Sequence, residues 1–132
     1  MKHADTSDIP RILQMARAFH DAHGEGAFNE EVTQAFIQNA LQSGCVLFSR
    51  GSFLIGYIIP DPGKGGALVA HEAFWWSEEG KGAEIREAFE DWAKQHGASE
   101  VHISHPWGAK RVGGMLEQAG YEPATQVWRK VI

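Results

Sequence analysis

The sequence predicts a single α/β domain of the α+β kind, residues 1–132: a mixed, mainly antiparallel sheet with about four helices shared between its two faces. Three observations predict it. Apolar residues recur at helical spacing in four stretches. Apolar runs rich in β-branched and aromatic side chains stand between them. The two patterns follow one another in the order β α α β β β α β α β. The strand runs are mostly apolar rather than strictly alternating, as expected of a sheet covered on both faces.

Met1–Ala4 reads as a short first strand. At Asp8-Ile9-Pro10 a helix begins, with Ser7 or Asp8 as cap and proline in the first turn, where its missing N–H costs nothing. Ile12, Leu13, Ala16 and Phe19 carry that helix to about His20. Asn29 caps a second helix whose stripe is Val32, Phe36, Ile37, Ala40 and Leu41, and Gly44 ends it. Cys45–Ser49 and Phe53–Ile59 form a strand pair with a tight turn at Arg50-Gly51-Ser52. A second turn at Asp61–Gly66 leads to a strand over Ala67–Trp76.

The third helix has the clearest pattern. Ile85, Ala88, Phe89, Trp92 and Ala93 share one face, charged residues take the other, and Gly97 closes it. Ser99–Ser104 reads as another strand. Ala109–Ala119 is a weaker helix, since Gly113 and Gly114 each cost about 1 kcal/mol relative to alanine. Gly120-Tyr121 ends it, and Thr125–Ile132 reads as a last strand.

The chain carries a net charge of −5, which argues against general nucleic-acid binding. One cysteine, Cys45, excludes an intrachain disulfide and a cysteine zinc cluster, and its apolar neighbours suit a reduced core thiol. No apolar run approaches a membrane span, and no apolar segment follows Met1. The expected partners therefore include no membrane, and the expected address is cytoplasmic. His20-Asp21-Ala22-His23 has a metal-like spacing without a third ligand, so no metal is expected.

The loop Ser77-Glu78-Glu79-Gly80-Lys81-Gly82 places two glycines around a lysine ahead of the third helix. A helix start presents unpaired N–H groups and the positive end of the helix dipole, so this stretch is a workable diphosphate seat. The plain alternative is a turn that needs glycine for its dihedral angles. The P-loop and dinucleotide fingerprints both fail here, the second because Ile85 stands where its third glycine belongs. Glu78 and Glu79 repel an anion unless they turn away.

With these residues in hand, the chain resembles the small N-acetyltransferases of the GNAT superfamily. That family carries [QR]-x-x-G-x-[GA] between its fourth strand and third helix, and Gly80 and Gly82 fill the two glycine places. Asp8–Leu13 resembles the family's first-helix opening, Phe53–Tyr57 its third strand, Glu90–Ala93 with Gly97 its third-helix end, and Leu116–Tyr121 its closing motif. Glu72–Trp76 is particularly like small phage and bacterial members. The likeness covers almost the whole chain. There are three departures: Ser77 stands where the family has Gln or Arg, the stretch from Glu72 to Gly82 is short, and Leu116 takes the place of a common tyrosine.

The resemblance implies a GNAT-like fold and acetyl transfer from acetyl-coenzyme A, as co-substrate, to a primary amine on a small molecule or peptide. The alternative it leaves open is a catalytically weak or inactive coenzyme A-binding or protein-interaction module of the same fold. It implies that Glu72 is the general base, since a carboxylate in an apolar strand has a raised pKa. Phe74, Trp75 and Trp76 would flank the pantetheine arm. Ser77, Gly80, Lys81, Gly82 and Ala83 would meet the diphosphate. Arg111, beside Lys110, would meet the ribose phosphate. His20, His23 and Glu25 would line the acceptor pocket, with His102 and His105 near the cleft. With leucine at 116, water or Ser104 is left to protonate the leaving thiolate. A homodimer is the family habit.

Overall fold

A computed structural model describes residues 1–78, 80, 82–105 and 110–132, the side chain of Lys110 excepted. Its strands are β1 (Lys2–His3), β2 (Cys45–Ser49), β3 (Ser52–Asp61), β4 (Ala67–Ser77) and β5 (Ala98–His102). Its helices are α1 (Ile9–His23), α2 (Glu30–Ser43), α3 (Gly82–Gln95) and α4 (Lys110–Gln118). The strands form one sheet in chain order. Pairing is antiparallel from β1 to β4 and parallel between β4 and β5. This is the expected mixed, mainly antiparallel sheet with helices on both faces.

Local chemistry explains the helix starts. Asn29 caps α2 as expected, its side-chain oxygen accepting from Val32 N at 3.0 Å. At α1 the cap differs from expectation. Asp8 makes no side-chain bond into the helix, and its carboxylate instead accepts from Asp5 N at 2.9 Å. Asp5 in turn accepts from Ser7 N at 2.8 Å, a capping box around the short 3-10 turn Thr6–Asp8 that precedes α1. α1 also runs one turn past His20, to His23, before Gly24 N donates to the His20 carbonyl.

The sheet separates two apolar clusters. Ile12, Met15, Ile37, Val46, Phe53 and Ile55 pack beneath α1 and α2, while Leu47, Leu54, Ala70, Ile85, Phe89 and Ala93 pack beneath α3. Successive residues of β2 and β3 are buried to opposite sides, which is why those runs do not alternate. Cys45 lies in the α3-side cluster, 2% exposed, and burial pushes its thiol up to about 12. Gly56 is dictated by α3: a Cβ there would lie 2.3 Å from Cε1 of Phe89.

One sequence expectation fails. Thr125–Ile132 forms no strand, and Val127 and Trp128 are 94% and 88% exposed. Alternation makes a segment compatible with a sheet, but a strand exists only where another chain edge pairs its N–H and C=O groups. This segment is tied instead by the ion pair Arg129–Glu25, at 2.9 Å. Before it, the Tyr121 hydroxyl donates to Glu90 at 2.6 Å, and Arg86 pairs with the same carboxylate, joining the end of α4 to α3. Among the described residues, no helix is long and apolar enough to cross a membrane.

Candidate active site

The site is set by where a strand loses its neighbour. β4 pairs with β5 only from Leu68 to His71, opposite Ala98 to His102. From Glu72 to Ser77 it pairs with β3 alone. The register between β3 and β4 shifts there: Ile55 faces Phe74 while Gly56 faces Glu72, leaving Ala73 as the extra residue of a bulge. Among the described residues, no strand therefore pairs with β4 on its β5 side beside Glu72–Ser77, which leaves an opening in the strand pairing there. Its wall is a strand edge whose N–H and C=O groups, among the described residues, point to no other strand.

Glu72 stands at the foot of this opening. It faces α3, because its partner Gly56 directs its missing Cβ at Phe89 and because Ala70, two residues earlier, lies in the α3-side cluster. Its Oε1 accepts from Ser104 N at 3.2 Å and from Ser104 Oγ at 3.4 Å. Burial raises the carboxyl from 4.5 to about 7, outweighing the two Ser104 bonds, which favour the charged form. Such a carboxyl is part ionised at neutral pH. Lys64, on the turn before β4, pairs with Glu100 at 2.9 Å. His71 points to the other face, its ring centroid 5.0 Å from that of His102. Its pKa is lowered by burial and then by that neighbour.

The loop after β4 resolves one electrostatic conflict. The Glu78 carboxylate turns back to Arg11, 2.8 Å away, and Arg11 also donates to the Arg50 carbonyl at 2.7 and 3.0 Å. The glutamate nearest β4 is thus neutralised against α1 and the β2–β3 turn. Glu79 and Lys81 lie outside the described residues, as does the side chain of Lys110. Gly80 has φ +68°, a conformation that favours glycine, and an added Cβ would meet nothing within 4 Å. Gly82 opens α3 directly over Trp75, where a Cβ would come 3.1 Å from the indole. Each glycine therefore has a structural reason. The first turn of α3 includes half-buried Ala83, and a helix start is where unpaired N–H groups gather.

The other predicted residues divide between the faces. Trp75 packs toward α3. Phe74 and Trp76 face α1 and α2, and both meet Phe19 edge to face; the Trp76 Nε1 is buried without a protein partner. The Ser77 hydroxyl accepts from buried Ser52 at 3.0 Å. Arg111 is exposed on α4, and Leu116 is buried. The His20 ring nitrogen lies 2.8 Å from the Gly26 carbonyl. His23 packs edge-on to Phe19, and Glu25 is taken by Arg129.

His20 lines a cavity of about 390 Å³ between α1, α2 and the β3–β4 face, with Phe19, Phe28, Phe36, Phe53 and Phe74. Sequence reasoning missed this aromatic set, because Phe36 reads as helix stripe, Phe53 as strand core and Phe28 as loop. A larger cavity of about 750 Å³ at the β2–β3 turn is lined by Arg11, Arg50, Glu78 and Glu84 among others, and holds none of the predicted residues. Among the described residues, no group of three His, Cys, Asp or Glu side chains is arranged to hold a metal ion.

No protein-family model matches this chain, and no curated protein matches it. Solved structures do. It is similar to an acetyltransferase from Trypanosoma brucei, with a TM-score of 0.72 at 14% identity over 99% of this chain and 97% of that one. A ribosomal-protein-alanine N-acetyltransferase from Brucella melitensis biovar Abortus 2308 gives 0.69 at 15%, over 99% and 96%. An aminoglycoside 6'-N-acetyltransferase from Acinetobacter haemolyticus gives 0.72 at 14%, over 99% and 97%. At such identities the likeness speaks for the fold and not for the acceptor.

Proposed function

We propose that this chain, which has the fold of the GNAT-type acetyltransferases, transfers an acetyl group from acetyl-coenzyme A to a primary amine. One observation carries the reading: a carboxyl raised to about 7 sits at the foot of an opening whose wall is unpaired strand edge. A carboxyl in a surface ion pair would be pulled the other way.

Acetyl-coenzyme A supplies a thioester carbonyl, and the remaining roles fall to the chain. An alkyl amine has a pKa near 10.4 in water and attacks only when neutral. Glu72 takes its proton, directly or through one water, while Ser104 holds the carboxylate in place. A backbone N–H on the free edge of β4 near Phe74 donates to the carbonyl oxygen as charge develops on it. The N–C bond forms, the nitrogen then gives its second proton to water, and the C–S bond breaks. The sulfur leaves as thiolate, which its pKa of about 8.5 permits, and takes its proton from water, because Leu116 offers none. Backbone groups at Gly80, Gly82 and Ala83 face the diphosphate, and Phe74 and Trp75 wall the opening on its two faces.

Calorimetry with acetyl-coenzyme A, followed by thiol release with a panel of amines, tests the reading. Gly82→Trp should weaken coenzyme binding at least tenfold, with Gly82→Ala as the control for packing against Trp75. No heat at millimolar coenzyme would overturn the reading. Heat without thiol release from any amine would reduce the chain to a coenzyme-binding module.

A further inference from the structure

The 390 Å³ cavity lies on the face of β4 opposite Glu72, within the size range of small-molecule sites, roughly 300–1,000 Å³. Phe19 and Phe36 both stand edge-on to Phe74, with centroids 5.6 and 5.3 Å away. Phe74 is 38% and Val32 65% exposed at the rim, so apolar surface faces solvent where a closed core would hide it. Among the described residues, no Asp or Glu lines the cavity. Arg17 stacks on one lining ring, 4.5 Å from the centroid of Phe28. Phe74, on the cavity lining, is two residues from Glu72 along β4. Phe74 pairs with Ile55, Glu72 pairs with the next residue, Gly56, and only the bulged Ala73 separates them on β4.

We infer that this cavity holds the body of the acceptor, and that the acceptor is a primary amine on an aromatic or branched aliphatic frame with no second positive charge. The inference rests on the acetyl-transfer reading and names its substrate class. Aromatic walls favour an apolar frame, and their ring faces tolerate one ammonium. The dry surroundings favour the neutral amine, which is the form that attacks. A second ammonium held inside would lose its water against a lining that, among the described residues, holds no Asp or Glu, so polyamines and aminoglycosides are disfavoured.

The test uses acetyl-coenzyme A with 2-phenylethylamine, spermidine and kanamycin, and direct calorimetry of 2-phenylethylamine on the protein alone. Ala27→Trp, an exposed loop position on the cavity lining, fills the mouth without touching the core. We expect kcat/KM for 2-phenylethylamine at least tenfold above the two polycations. We also expect Ala27→Trp to raise its KM at least tenfold while the heat of coenzyme binding stays unchanged. Normal coenzyme heat with spermidine or kanamycin preferred, or an Ala27→Trp variant with unaltered KM, overturns this inference and leaves acetyl transfer standing. If coenzyme binds but no amine is acetylated, failure of 2-phenylethylamine to bind in a way that Ala27→Trp abolishes overturns it too. Hexanoyl-coenzyme A used faster than acetyl-coenzyme A by the native chain but not by Ala27→Trp would assign the cavity to the donor's acyl chain and overturn it. Absence of coenzyme heat removes the acetyl-transfer reading itself, and the inference with it.

Discussion

Replacing Glu72 by glutamine separates a buried base from a hydrated surface carboxylate by two independent readouts. The rise from 4.5 to about 7 corresponds to about 3 kcal/mol of preference for the protonated form in the folded state. The folded pKa lies above the unfolded one, so the folded state binds the proton more tightly. That contribution is complete below pH 4.5, and it is lost as pH rises through 7. Glutamine keeps the size of the side chain and can still accept from Ser104, but it never ionises. Urea unfolding of both proteins at pH 4.5, 6 and 7.5 gives their stability difference, in which all other titrating groups cancel. The native chain should lose up to about 3 kcal/mol relative to Glu72→Gln between the lowest and highest pH, so the variant is the more stable at pH 7.5. In kinetics, kcat/KM of the native chain should fall about tenfold per pH unit below 7. The variant should lack that limb and run about 10²–10⁴-fold slower. A stability difference that does not change with pH would mean an ordinary carboxylate. A limb near pH 7 that survives in Glu72→Gln would pass the base role to another group, of which His71 is the nearest along the chain.

Gly56→Ala forces a methyl to within 2.3 Å of the Phe89 ring and 3.0 Å of the His71 carbonyl. It should cost about 1–3 kcal/mol in urea unfolding, and an unchanged midpoint would show that α3 does not press on β3 there. Arg11→Ala releases the Glu78 carboxylate beside the 80–82 loop. Acetyl-coenzyme A should then bind several-fold more weakly by calorimetry, less so as salt is added, and Arg11→Ala/Glu78→Gln should restore the affinity. An affinity indifferent to both changes would place the diphosphate away from that loop.

Features governed by neighbours a few residues apart were readable in advance. Asn29 caps α2 because a short side-chain oxygen before a helix can do little else so well. The stripe from Ile85 to Ala93 is buried on α3 because its period is that of the helix. Glu72 stood out as a charge inside an apolar strand, and its raised pKa follows from that setting. Features governed by distant partners were not readable. Asp8 served as a capping candidate, yet its carboxylate reaches back to Asp5 and to Lys2, 3.0 Å away. Thr125–Ile132 has the residues of a strand but pairs with none of the edges the sheet offers. Glu78, in the loop after β4, looks hostile to an anion in the sequence, but Arg11 on α1 holds it.

The amino-acid order alone therefore carried the helices, the Asn29 cap, the strands through β5, the glycine turns and the odd carboxylate. Each of these depends on dihedral preferences and periodicities that act within a turn or two of chain. Folding in three dimensions settled where β4 parts from β5, which face Glu72 takes after the bulge at Ala73, and how Phe19, Phe28, Phe36 and Phe74 come together around one cavity. Those outcomes turn on register and burial. Both are properties of surfaces brought together from opposite ends of the chain, and they have no local signature to read.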